Sequence, residues 1–134
     1  MTTPRPDELL APVSPGELID KITILAIKSR RIGDPAKLAN VRTELDALRA
    51  CWQASRYASA DVAREEAELT AVNERLWDVE DRIRDKERQR AFDAEFIELA
   101  RAVYVENDQR AAAKKRINLA LGSALVEEKS YAAY

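Results

Sequence analysis

The chain has 134 residues, of which 46% are hydrophobic and 34% charged, and a formal net charge of -2. That length and apolar content suffice for one domain with a substantial core, which excludes repetitive disorder. No stretch approaches the ~20 consecutive apolar residues of a membrane span, and a slightly acidic balance is the opposite of a generic nucleic-acid binder.

The segment Met1 to Pro6 lacks the basic-then-apolar layout of a secretory leader, so a cytoplasmic protein is expected. Histidine is absent, which removes His-activated nucleophiles, HExxH zinc hydrolases and di-iron sites built on Glu-x-x-His. The single cysteine, Cys51, lies beside Trp52 and is expected as a small buried residue.

Four of the five prolines fall within the first fifteen residues, which makes 1–13 an extended or disordered arm. Ser14-Pro15-Gly16-Glu17 then combines an N-cap, a first-turn proline and a capping-box glutamate, opening a helix that runs to about Ile32. Gly33 is expected to end it in the left-handed conformation, with Asp34-Pro35 starting the second helix. Leu38, Val41, Leu45, Leu48 and Trp52 form its apolar stripe.

The pattern lapses over 55–60, and a third helix from about Asp61 carries Leu69, Val72, Leu76, Val79 and Ile83 on one face. At about 100° per residue, Phe92, Phe96 and Leu99 fall opposite the continuation of that face. A turn between Arg88 and Asp93, with Asp93 as N-cap, resolves the conflict, and a fourth helix then runs to Gly122. These elements predict an all-α chain: an antiparallel up-down four-helix bundle over 14–122, with the N-terminal arm and a short C-terminal tail, 123–134.

Helix four carries the most informative irregularity. The face holding Phe96, Ala100 and Val103 becomes Asn107, Arg110, Lys114 and Asn118 in its second half. A hairpin about residue 91 sets Asn73 opposite Arg110, and Glu65 to Glu68 opposite Lys114 and Asn118. Three readings follow: cations that reach water, a buried ion-pair network, or a site for a small anionic ligand built from Asn73, Asn107, Arg110, Lys114 and Asn118.

Glu65-x-x-Glu68 and Glu95-x-x-Glu98 have the spacing of Mg²⁺-binding carboxylates but lack a matching ExxxD on an adjoining helix, so no metal and no cofactor is expected. Arg110, Lys114, Lys115 and Arg116 are spread around the helix without interleaved aromatics, as on a solvated face. In helix one, Leu18, Ile19, Ile22 and Leu25 share a face while Ile24 and Ile27 lie on the other. Ile24 and Ile27 therefore call for cover from the arm, the tail or a second subunit across a homodimer interface.

Three stretches resemble a bacterial family of short all-helical proteins with no assigned activity. They are Ser14-Pro-Gly-Glu-Leu-Ile-Asp-Lys-Ile-Thr-Ile-Leu25, then Leu76-Trp-Asp-Val-Glu-Asp-Arg-Ile-Arg84, and Phe96-Ile-Glu-Leu-Ala-Arg-Ala-Val-Tyr104 continued by Asn107 to Arg110 and Glu127 to Tyr131. The resemblance covers most of the chain beyond the arm, except Cys51 to Arg64, and implies bacterial origin without a catalytic residue.

A fainter similarity to helical chorismate mutases stops at Ile19-Asp20-Lys21-Ile22, where Thr23 replaces the second acid, and no catalytic residue is carried over. Without histidine, an evident nucleophile or a glycine-rich phosphate loop, the sequence points to a non-enzymatic cytoplasmic interaction module, self-associating or bound to a protein partner. The alternative is an anion-binding or enzymatic bundle that uses the polar stripe.

Overall fold

The structure, a computed structural model, describes residues 5–134. It is a four-helix bundle: α1 Pro15–Arg31, α2 Pro35–Ala54, α3 Ala63–Arg88 and α4 Ala94–Ala120. Among the described residues there is no strand.

Local chemistry accounts for most of the ends. The Ser14 hydroxyl accepts from the Glu17 amide at 3.1 Å, and the Asp93 carboxylate accepts from the Phe96 amide at 3.0 Å, so two of the three predicted N-caps form, whereas Asp34 occupies the N-cap position of α2 without a capping bond from its side chain. The reciprocal half of the capping box is replaced, because Glu17 turns toward Lys114 and Lys21 instead.

Gly33 departs from expectation: α1 ends at Ile32 in extended geometry, with φ -82° and ψ 128°. The left-handed caps lie elsewhere. Gly122 closes α4 at φ 68°, and Arg90 closes α3 at φ 53°. In each case the next amide reaches back over the turn, Ser123 to the Asn118 carbonyl and Ala91 to the Lys86 carbonyl, both at 2.9 Å, which is the Schellman arrangement.

Helix α1 is the hub, in contact with each of the other three, whereas the backbone of α2 approaches α1 alone. On one side Leu18, Ile22 and Leu25 of α1 close over Val41 and Leu45 of α2. On the other, Ile19 packs with Leu69, Ala113 and Ile117 of the α3–α4 hairpin, and Trp52 borders both clusters. One-sided packing of α2 also leaves Cys51 exposed, contrary to the expectation of burial.

Lengths decide the rest. At 1.5 Å per residue, α3 and α4 each extend about 40 Å but α1 only about 25 Å. Helix α1 starts beside Asn118 and ends beside Asp78, so the hairpin continues for about three turns with nothing over it. From residue 74 to residue 112 no residue is buried.

Candidate functional site

Where α1 crosses the hairpin, Asn73, Arg110, Lys114 and Asn118 bond to it, and Asn107 joins through Arg110. Asp20, wholly buried, accepts from Arg110 Nε at 2.9 and 3.0 Å and from Arg110 Nη2. The same carboxylate accepts from Asn73 Nδ2 at 2.9 Å. Thr23, one turn on, accepts a second bond from Asn73 Nδ2 at 3.1 Å and donates to the Asp20 carbonyl at 2.7 Å. Asn107 Oδ1 receives Arg110 Nη1 at 3.4 Å.

Lys114 is 6% exposed and reaches three carboxylates: Glu17 at 2.5 Å, Glu127 at 2.8 Å and Asp20 at 3.8 Å. Asn118 Oδ1 accepts from the Gly16 amide at 2.8 Å, which satisfies one of the free donors of the α1 N-terminus. A Cβ on Gly16 would lie 2.5 Å from the Lys114 carbonyl oxygen. Glycine is therefore required here so that α1 and α4 can approach.

The charges are matched within the cluster. The Asp20 carboxylate raises the Arg110 pKa against the opposing effect of burial. Burial pulls the Lys114 pKa down, but hydrogen bonds to Glu127 and Glu17 outweigh it and hold the ammonium above its ordinary value. Glu127 is in turn held below the usual glutamate range, chiefly by its bond from Lys114. Two cations face three carboxylates, so the interior half of the stripe is an ion-pair network rather than free positive charge.

Sequence reasoning found the cationic and amide half of this network and misplaced its acids. Glu68 pairs with the exposed Arg116, and the carboxylates inside are Asp20, Glu17 and Glu127 from α1 and the tail. Asp20 was detectable: it is an acid within the otherwise greasy run Leu18 to Ile27. The tail could not be placed from the sequence, because its contacts are scattered: ion pairs from Glu127 and Glu128, and Tyr134, whose hydroxyl donates to Asp108 at 2.7 Å and whose ring packs edge-on against Tyr104.

Of the remaining positions, Lys115 and Arg116 are exposed, as expected of a solvated face. Glu95 is tied to Arg82 and Lys86 across the hairpin tip, and among the described residues no group of three or more acidic or cysteine side chains is disposed to hold a metal ion. Ile27 is 1% exposed within the single chain. The contact of α1 with α3 and α4 supplies the cover that the sequence assigned to arm, tail or second subunit. Ile24 is half-buried and borders a cleft of about 400 Å³ that Trp77 and Arg110 also line.

A family model described as Family of unknown function (DUF6165) matches residues 10–134. No curated protein and no solved structure matches the chain.

Proposed function

The chain belongs to the DUF6165 family of unknown function, and from that premise we propose that it is a non-enzymatic, cytoplasmic interaction module that self-associates through the free half of its α3–α4 hairpin. One observation carries this reading: beyond the end of α1, over residues 79–103, the hairpin has no buried residue. Its apolar side chains are nevertheless incompletely covered: Val79, Ile83, Phe96, Leu99 and Val103 are half-buried, and Phe92 and Ile97 are 53% and 57% exposed.

Two antiparallel helices cannot enclose a seam of their own. A second copy offers an identical pair, and a twofold arrangement of two hairpins makes a four-helix bundle. Ion pairs within the tip, Arg82–Glu95 and Lys86–Asp93, neutralise its charges locally, which removes the repulsion that two like-charged tips would feel. An anion-binding bundle has less support, because the cations it requires already hold carboxylates.

Sedimentation of the full chain and of a Phe92→Glu/Ile97→Glu variant tests the proposal. Both side chains are more than half exposed, so the fold of the monomer tolerates the change. The expected result is a dimer for the natural sequence and a monomer with an unchanged helical spectrum for the variant. A natural chain that stays monomeric across accessible concentrations would overturn it.

A further inference from the structure

The cleft beside Ile24 has a composition that the interaction reading does not use. Its walls are apolar: Ile24 and Ile27 from α1, Leu76 and Trp77 from α3. Its floor is polar. Asn73 and Arg110 donate to the same Asp20 oxygen, at 2.9 Å each, and so sit side by side.

The orientation of the Asn73 amide is fixed by that bond, since an ionised carboxylate only accepts and the amide nitrogen must face it. Asn73 Oδ1 is then left as an acceptor with no donor among the described residues. Arg110 has five N–H groups, of which Nε and one on Nη2 serve Asp20 and one on Nη1 serves Asn107. The remaining two are free, on a side chain 29% exposed. Asn73 and Arg110 thus offer an acceptor and donors in a lining that also holds Trp77, Glu80 and Asp81.

We propose that this cleft binds a small, uncharged, planar amide-bearing aromatic molecule. An amide offers an acceptor and a donor, the complement of Arg110 N–H and Asn73 Oδ1, and its ring has Trp77 and Ile24 to pack against. A carboxylate offers acceptors only, which satisfies Arg110 but opposes Asn73 Oδ1 and the Glu80 and Asp81 charges. An amidinium offers donors only and meets the Arg110 guanidinium with like charge. The charge matching that removes an anion site elsewhere in the stripe therefore selects a neutral ligand here. This assignment is independent of self-association.

Benzamide, benzoate and benzamidine share one shape and differ in these groups. Each is titrated into the isotope-labelled full chain to about 10 mM, a range suited to fragment-sized ligands, while the indole N–H resonance of Trp77 is followed by NMR. Benzamide is expected to shift that resonance with an affinity at least about tenfold above either charged analogue, equivalent to about 1.4 kcal/mol. Ile24→Lys, whose chain fills the cleft, should abolish the shift. Asp81→Arg on the exposed rim should leave the fold unchanged and draw benzoate in. No response of Trp77 to benzamide, equal or tighter binding of benzoate or benzamidine, or an undiminished response in a folded Ile24→Lys chain would each overturn the assignment.

Discussion

The two halves of the α3–α4 hairpin invert the usual relation between side-chain character and depth. In the half crossed by α1, amides, a guanidinium and an ammonium lie in the interior. In the half beyond it, Phe92 and Ile97 are exposed and Val79 and Val103 only half-buried. The helices are continuous through both halves, so helix propensity does not distinguish them. What differs is α1, which brings Asp20, Thr23 and Glu17 to match the polar stripe and then stops. A polar face is buried where its complement is supplied within the chain, and an apolar face stays open where none is.

The largest effect expected from this contrast is at Arg110. Arg110→Ala leaves the wholly buried Asp20 without its two-pronged partner, and breaking a buried pair costs about 3 to 5 kcal/mol. The same truncation at Arg116, whose pair with Glu68 is exposed, should cost less than about 1 kcal/mol. Denaturant unfolding of the two variants measures both, and equal losses would erase the distinction between the network and the surface pairs.

Next in size is Gly16→Ala. Its methyl would sit 2.5 Å from the Lys114 carbonyl oxygen and 2.9 Å from Asn118 Oδ1, forcing α1 away from α4. Overpacking of this kind costs about 1 to 3 kcal/mol, read as a lowered denaturation midpoint. At Gly33, where a Cβ meets nothing, the same change should be nearly neutral.

The smallest effect is acid sensitivity. Glu127 has a depressed folded pKa, so its contribution is present above the unfolded value of about 4.3 and is lost as pH falls through the folded value. Lys114 has a raised folded pKa, so its contribution is present below about 10.4 and is lost as pH rises through the folded value. Glu127→Gln should flatten the fall in stability below about pH 4.5 and, because Glu127 is the foremost of the groups holding Lys114 charged, weaken the alkaline limb as well. An unchanged acid limb would mean that the tail does not hold Lys114.

The comparison also explains which parts were legible in the sequence. Periodicity and caps gave the four helices, the turn before Asp93 and the antiparallel order, because each is written in contiguous residues. The meeting of Asn73 with Arg110 followed from hairpin register alone. The partner acids did not, since Asp20 reaches Arg110 across 90 positions and only the placement of α1 joins them. Arg90 in a left-handed conformation was equally hidden, for the position offered no glycine to mark it. The exposed seam was not legible, because a stripe such as Phe96 to Val103 states that it needs cover without stating whether the same chain provides it.

Amide hydrogen exchange along α3 and α4, recorded at low and high protein concentration, compares the two halves most directly. The half under α1, around Leu69, Val72, Ala113 and Ile117, should be strongly protected at both concentrations, because its core is complete within one chain. The half around Ile83 and Val103 should exchange quickly when dilute and gain protection as concentration rises. Strong protection of both halves at every concentration would contradict the account.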